Sequence, residues 1–230
     1  MKFLHRKRGR EAIDEIGIIP RCTGTLVHDC RATCFAHDQC RHQLCGSHLL
    51  RELAFVVESD GFRRARLMKA LLREACHRVN RSDTRTLPEA ERLAMRRRYR
   101  TILTRGGREL PGIPPRPKGK RGRIAKSDAH NLHARLVKHE ESVLRFMADP
   151  DVSFTNNAAE QKIRMAKVRI KVSGCFRTRH CAEAWCRISS YPSSMAALGY
   201  NPLVAIRIAL AGKAADMMKM HYPKHGTNQG

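Results

Sequence analysis

One stretch decides how the chain is interpreted: Phe154-Thr155-Asn156-Asn157-Ala158-Ala159-Glu160. A proline break at Pro150 precedes it, and seven Lys or Arg residues follow the single acid Glu160 up to Arg179. A carboxylate among cations suits a site that binds a metal ion and a polyanion together. The same residues also match a helix start, because Asn157 with Glu160 three residues later has the spacing of a capping box. Glu160 and Arg164 further have the spacing of a helical ion pair, so a structural role and a binding role both stand here.

Length and charge narrow the possible functions. The chain has 230 residues, enough for one large or two small domains, and its 42% hydrophobic content can form a core. A net charge of +24 and a pI near 10.5 favour nucleic acid or an anionic membrane surface as partner. No apolar run approaches the roughly 20 residues of a membrane span, and none follows the basic start at residues 1–10. We therefore predict a nucleic-acid partner, no membrane and no secretory signal.

The nine cysteines are expected to be thiols of a cytoplasmic protein, because no secretory signal directs the chain to an oxidising compartment. Cys40, Cys45 and His48 invite a zinc interpretation, although no second Cys/His pair follows at zinc-finger distance. Buried or incidental thiols are the alternative.

Two short strands are predicted near the start. Residues 24–29 have the pattern of a buried strand with Asp29 at its C-terminal end, where α/β sheets place binding and catalytic groups. Capping of the following helix is the alternative role of this aspartate. Residues 42–45 predict a second strand, after which Ser47 can cap a helix with His48 and Arg51 on one face.

Three amphipathic helices are predicted between residues 60 and 150. The first covers 62–79 with Asp60 as its N-cap, and the second covers 86–104 with a capping box of Thr86 and Glu89. The third begins after Ser127 and continues to residue 147.

The C-terminal third gives weaker patterns. Apolar and basic residues alternate over 168–172, which predicts an extended segment. Residues 182–195 have helical spacing that Pro192 disturbs, and Asn201 is expected to cap a last helix that Gly212 ends.

A basic linker separates the second and third predicted helices. Residues 106–122 contain five glycines and four prolines, and residues 96–126 contain twelve Lys or Arg against one acid, Glu109. Such blocks are often solvated and flexible, and they are also a simple means of contacting DNA phosphates. Given the charge of the whole chain we favour phosphate contact. The linker cations are Arg116, Lys118, Lys120, Arg121 and Arg123.

Four motifs resemble bacterial insertion-sequence transposases of the IS66 family. They are Gly24-Thr-Leu-Val-His-Asp29-Cys, His42-Gln-Leu-Cys-Gly-Ser-His48-Leu-Leu-Arg51-Glu-Leu, the stretch from Phe154 to Glu160 and Val172-Ser-Gly-Cys-Phe-Arg177. The resemblance covers essentially the whole chain, and the last two motifs together are highly specific. It implies an α/β fold in which a partial ribonuclease-H-like core carries a large, mainly helical insertion.

The same resemblance implies a three-carboxylate (DDE) site in which Asp29 is the second acid and Glu160 the third. The implied chemistry is phosphodiester hydrolysis and strand transfer at two Mg²⁺ ions held by the carboxylates. Cys45 and His48 resemble the Cys-x-x-His element of such transposases. The supporting residues are Cys45, His48, Arg51 and Asn157, of which Asn157 would start the helix that presents Glu160. Further DNA contacts are expected from Lys162, Arg164, Lys167, Arg169, Lys171 and Arg177.

The first acid of the family's site lies upstream of the second, and the only acids before Asp29 are Glu11, Asp14 and Glu15 in a helix-like segment. We therefore expect an N-terminally truncated DNA transposase that binds DNA but does not catalyse strand transfer alone. A non-enzymatic basic nucleic-acid-binding protein and a decayed remnant of the element are the alternatives.

The expected organisation has four parts. Residues 1–60 form a partial core with the second acid, 61–150 the helical insertion, 151–220 the rest of the core with the third acid, and 221–230 a disordered tail. The expected partners are DNA at the element ends and at the target, a further copy of the chain on DNA, and accessory transposition proteins. The expected location is the bacterial cytoplasm, in association with the nucleoid.

Overall fold

The computed structural model describes residues 2–7, 9–113, 115, 124 and 126–214. The chain divides into two compact units. The first unit is Gly9–Glu160, and the second comprises the described residues of Met1–Arg8 and Gln161–Gly230. The five linker cations and the tail 221–230 named above lie outside the described residues. Among the helices that are described, none has both the length and the apolar character needed to cross a bilayer.

A two-stranded parallel sheet lies near the start of the first unit. Helix α1, Arg10–Ile16, precedes it, and strand β1 is Thr25–His28. Strand β2 is Arg41–Leu44, and the short helix α2, Ala32–Phe35, lies between the strands. The register places His28 opposite Leu44. Both predicted strands are thereby confirmed to within one residue at each end.

Gln43 connects β2 to the helices behind it. Its side chain is fully buried, and its amide nitrogen donates to the carbonyl oxygens of Leu44 at 2.8 Å and Val143 at 3.3 Å. Its amide oxygen accepts from the Phe146 backbone nitrogen at 2.9 Å. Because its hydrogen-bonding groups have partners, this polar side chain can be buried in the core without a large desolvation cost.

Helices form most of the first unit. They are α3 (Gly46–Ser59), α4 (Arg63–Arg81), α5 (Glu89–Glu109), α6 (Asp128–Lys138) and α7 (Glu140–Leu144). Their apolar faces meet in one core that includes Leu53, Leu72 and Leu132. Tyr99 is fully buried in this core, and its hydroxyl donates to the Leu136 carbonyl oxygen at 2.9 Å. The described fold is therefore mainly helical with a small parallel sheet, which agrees with the predicted α/β class in this coarse sense.

The predicted cap of α4 is wrong. Phe62 occupies the N-cap position of that helix, without a side-chain cap bond. The Asp60 carboxylate instead accepts from the Ala129 backbone nitrogen at 3.0 Å, at the start of α6. This bond holds the pKa of Asp60 below its usual value. Ser127 caps α6 as predicted, since its hydroxyl accepts from the His130 backbone nitrogen.

The capping box predicted for α5 is also wrong, because the helix begins at Glu89, three residues after Thr86. Pro88 holds the N-cap position without a side-chain bond, and the Thr86 hydroxyl bonds to that of Thr84 at 3.0 Å. The third predicted helix is divided. His139 separates α6 from α7, and a 3-10 turn at Arg145–Met147 follows.

The second unit is built from the remaining described helices. They are α8 (Asn157–Ser173, which begins in the first unit), α9 (Arg179–Ala197) and α10 (Pro202–Leu210). The prediction of an extended segment over 168–172 is wrong, because α8 is continuous there. Helix α9 passes through Pro192 without ending. Asn201 caps α10 as predicted, and its side chain accepts from the Leu203 backbone nitrogen at 2.8 Å.

Candidate functional site

The C-terminal ends of the two strands define the candidate site. β1 and β2 are parallel, so Asp29, which follows β1, and Cys45, which follows β2, lie at the same edge of the sheet. The Cys45 backbone nitrogen donates to the His28 carbonyl oxygen at 2.8 Å, which extends the strand pairing by one residue. This edge is where open α/β sheets bind ligands.

Asp29 is held by its own neighbours in the chain. Arg31 Nε lies 3.3 Å from Asp29 Oδ2. The alternative capping role of Asp29 is wrong, because Arg31 occupies the N-cap position of α2 and no side chain caps that helix. Between these two residues, Cys30 has a φ of 66°, in the left-handed region that non-glycine residues rarely adopt. Backbone strain of this kind concentrates at functional sites, and nothing in a cysteine signals it in the sequence.

Cys45 joins this sheet edge to the stretch from Phe154 to Glu160. Its buried thiol donates to Asn156 Oδ1 at 2.9 Å, and its sulfur accepts from the Asn156 backbone nitrogen at 3.4 Å. The next residue, Gly46, donates its backbone nitrogen to the Phe154 carbonyl oxygen at 2.7 Å. These three bonds fix the chain immediately before α8 against the junction of β2 and α3.

Glu160 lies in the first turn of α8, next to His48 in the first turn of α3. His48 Nε2 is 3.6 Å from Glu160 Oε1. The predicted ion pair of Glu160 with Arg164 is absent from the described ion pairs, and Glu160 instead lies beside the His48 ring. The predicted start of the helix shifts by one residue, because the Asn156 carbonyl oxygen accepts from the Glu160 backbone nitrogen at 3.1 Å. Asn157 is the first helical residue rather than the cap.

Two of the predicted supporting residues form hydrogen bonds near the site but not with the carboxylates of Asp29 or Glu160. Asn157 Oδ1 accepts from the Ser47 hydroxyl at 3.4 Å, which adds a second connection between α8 and α3. Arg51 Nε donates to the Ser47 carbonyl oxygen at 3.2 Å, within its own helix. Cys45, His48 and Asn157 are thus brought to the start of α8, whereas Arg51 is engaged one turn further along α3.

A cluster of aromatic rings that the sequence did not reveal lies behind Asp29. The His28 ring meets those of Phe35 and His42 edge to face at 4.7 and 5.3 Å between centroids, and Phe35 stacks on His139 at 4.2 Å. Burial, aided by the neighbouring His42, lowers the pKa of His28 to about 4. Burial also lowers the pKa values of His42 and His139. These histidines are neutral packing groups at neutral pH.

The cysteines of the zinc interpretation make separate contacts. Cys40 precedes β2 and donates its thiol to the Cys22 carbonyl oxygen at 3.0 Å, whereas Cys45 follows β2 and binds Asn156. Over the ranges that the structure describes, His, Cys, Asp and Glu side chains form no group of three or more that could hold a metal ion. Asp29 and Glu160 nevertheless supply the oxygen ligands that hard cations prefer.

The predicted DNA-contacting cations of the second unit are solvent-exposed. Five of them lie on α8, and Arg177 lies in the connection to α9. The α8 cations are Lys162, Arg164, Lys167, Arg169 and Lys171. Cations of the earlier basic block are partly engaged with acids: Arg98 pairs with Glu74, and Arg100 with Glu140.

Comparison with known proteins identifies one family. A family model described as the IS66 family of transposases, of the DDE type, matches residues 2–184. No curated protein and no solved structure matches the chain. The matched span includes Asp29, Cys45, His48 and Glu160, and therefore every element of the site described above.

Proposed function

The chain belongs to the IS66 family of transposases, and from this we propose that it binds DNA and contributes Asp29 and Glu160 to a DDE-type site for DNA transposition. The proposed partner is DNA, and the proposed place of action is the bacterial cytoplasm at the nucleoid. The observation that carries the proposal is the attachment of the start of α8 to the sheet edge where Asp29 lies. Cys45 makes that attachment, through its bonds to Asn156.

The donor set fits a divalent cation in its chemistry. Asp29 and Glu160 would hold Mg²⁺ through carboxylate oxygens, and the proposed role of His48, which lies beside Glu160, is to help orient that carboxylate. When bound, divalent ions in such sites activate the attacking oxygen and stabilise the leaving oxygen of a phosphodiester. The residues of the chain itself would hold the two carboxylates in place and neutralise DNA phosphates with exposed cations.

We further propose that the chain does not catalyse strand transfer by itself. The acids that precede Asp29 in the sequence all lie on α1, away from a strand end. Asp14 of that helix pairs with Arg10 at 3.4 Å and approaches His37 at 3.8 Å. The described residues before Asp29 therefore offer no carboxylate at a strand end for the remaining position of the DDE pattern, which supports this proposal.

The metal assignment is tested without relying on activity. Mn²⁺ is titrated into the isotopically labelled chain, and the paramagnetic broadening of amide signals is followed. We expect broadening around Asp29 and Glu160 that Asp29→Asn and Glu160→Gln each weaken. Glu58→Gln, which removes an exposed carboxylate from α3, is the matched control and leaves the broadening unchanged. Broadening that is as strong in both site variants as in the unmodified chain refutes the assignment.

Cleavage assays test the proposal that the chain binds DNA but does not catalyse strand transfer by itself. The purified chain is incubated with Mg²⁺ and a duplex that carries the ends of its own insertion element. We expect DNA binding without cleavage. Cleavage that Glu160→Gln abolishes would show that the chain is competent alone. Cleavage that neither Asp29→Asn nor Glu160→Gln changes would remove these residues from the mechanism.

A non-enzymatic DNA-binding protein that uses the basic block at 96–126 is the second candidate. It predicts DNA binding that is independent of Asp29 and Glu160, and no response of these carboxylates to Mn²⁺. The ion pairs of Arg98 and Arg100 with acids of the first unit reduce the cations that this block offers to phosphates. Among the cations that the structure describes, we therefore propose those of α8 as the main DNA contacts.

A further inference from the structure

Helix α8 is exposed on all sides after its first turn. Between Gln161 and Val172, every side chain is exposed except that of Ala166, which is half-buried. Apolar and basic residues both contribute to this surface. The distribution of the two kinds around the helix therefore determines which face can meet a polyanion.

The basic residues of α8 form two separate stripes. Arg164, Lys167 and Lys171 follow Glu160 at positions i+4, i+7 and i+11, so they share its face of the helix. We call these three residues the Glu160 stripe. Lys162 and Arg169 stand at i+2 and i+9 from Glu160 and form an opposite stripe on the other side of the helix.

Apolar residues separate the two stripes along both flanks. Ile163 and Ile170 lie seven residues apart on one flank, and Met165, Val168 and Val172 lie on the other. All five side chains are exposed, and Val172 is 80% exposed. A duplex that lies along one stripe would have to cross an apolar flank to reach the other.

One residue of the opposite stripe already has a partner. Arg169 of the opposite stripe lies over the Phe176 ring, 5.1 Å from its centroid. Such a cation–π contact stabilises the guanidinium where it is. In the part of the chain that the structure describes, Arg164, Lys167 and Lys171 form no ion pair. Their charge is therefore available to phosphates.

We propose that the DNA bound by this chain lies along the Glu160 stripe and that Lys162 and Arg169 do not contact it. This inference rests on the proposed function and specifies which face of α8 performs it. From Glu160 to Lys171 the helix rises about 16 Å, which matches roughly five nucleotide steps of one strand. The stripe thus leads away from the carboxylate over a length that several phosphates can follow.

A matched pair of double variants tests the assignment. Arg164→Gln/Lys167→Gln and Lys162→Gln/Arg169→Gln each remove one arginine and one lysine from α8. Glutamine is among the good helix formers, and circular dichroism checks that helix content is kept. Binding to a short duplex of mixed sequence is measured by fluorescence anisotropy between about 50 and about 200 mM salt.

The expected difference is in the salt dependence. Each phosphate contact contributes about 0.9 to the slope of log K against log salt. Loss of Arg164 and Lys167 should reduce the slope by about 1.8, and loss of Lys162 and Arg169 should leave it unchanged. The charge-conserving variant Arg164→Lys/Lys167→Arg should retain the slope of the unmodified chain.

The outcomes separate the two levels of the proposal. Equal reductions by both double variants, or a larger one from Lys162→Gln/Arg169→Gln, overturn the stripe assignment while leaving DNA binding intact. An unmodified chain that shows no salt-dependent binding overturns the proposed function, and the stripe assignment with it.

Discussion

Substitution of Gly46 by alanine tests how the candidate site is held together. A Cβ at this position would come closer than 3.0 Å to three atoms of the Phe154 ring, Cζ, Cε1 and Cε2, a separation that Cβ atoms essentially never show. Optimal carbon contacts are about 3.5–4.0 Å, so the ring or the helix start must move by about 1 Å. The ring cannot shift freely, because Phe146 packs against it at 4.7 Å between centroids and is itself buried.

The size of the effect follows from these contacts. Overpacking of this kind costs about 1–3 kcal/mol. Displacement also weakens the bond from the Gly46 nitrogen to the Phe154 oxygen, at about 0.5–1.5 kcal/mol. Because alanine is a better helix former than glycine, the substitution also offsets up to about 1 kcal/mol of this loss of stability. We expect Gly46→Ala to lower the free energy of unfolding by about 2 kcal/mol, and the midpoint temperature by about 4–8 °C.

Chemical denaturation and calorimetry measure this change. Gly24→Ala is the matched control, because a Cβ there meets no atom within 4 Å, and its expected effect is below about 0.5 kcal/mol. On a Phe154→Ala background the clash is absent, so Gly46→Ala should cost little and the two changes should couple by about 2 kcal/mol. Full stability of Gly46→Ala, or additivity with Phe154→Ala, would refute the reasoning.

Three further predictions concern stability. Burial lowers the pKa of His28 from 6.5 to about 4, so the unfolded chain takes up the proton first as pH falls. The free energy of unfolding should therefore decline between pH 6.5 and 4 by up to about 3 kcal/mol. Urea titrations across this range should show a smaller decline for His28→Phe, and an identical decline would contradict the assignment. Tyr99→Phe leaves the Leu136 carbonyl oxygen without its donor and should cost about 1 kcal/mol in thermal unfolding, with no loss contradicting the bond. Gln43→Met removes the acceptor of the buried Phe146 nitrogen and should cost about 1–3 kcal/mol in urea unfolding. Gln39→Met removes an exposed amide that donates to the Ile19 and Pro20 carbonyl oxygens and should cost less, so equal costs would refute the role of the buried amide.

Local patterns predicted the elements that depend on local sequence. The strand before Asp29 and the strand before Cys45 were predictable, because short apolar runs bounded by turn residues favour strands. The long helix at 63–81 followed from its apolar spacing. The extended segment at 168–172 was wrong because α8 has apolar residues on two opposite flanks. That arrangement produces a two-residue alternation that also fits a strand.

Contacts between distant segments could not be predicted. Asp60 accepts from Ala129 rather than capping its own helix, and no local rule identifies that partner. The same holds for the bond between Cys45 and Asn156 and for the approach of His48 to Glu160. The sequence therefore identified the candidate residues of the site, whereas the partners that hold them depend on the packing of the helices in between.

The bond between Cys45 and Asn156 has a consequence for folding. The two residues are separated by 111 positions, and closing a loop of that length costs about 4 kcal/mol in chain entropy. Such a contact gains its free energy only after the intervening helices have formed. We expect the start of α8 to be ordered late in folding and to open early in partial unfolding. Hydrogen exchange at the Asn156 amide would then report how often the native chain opens at this point.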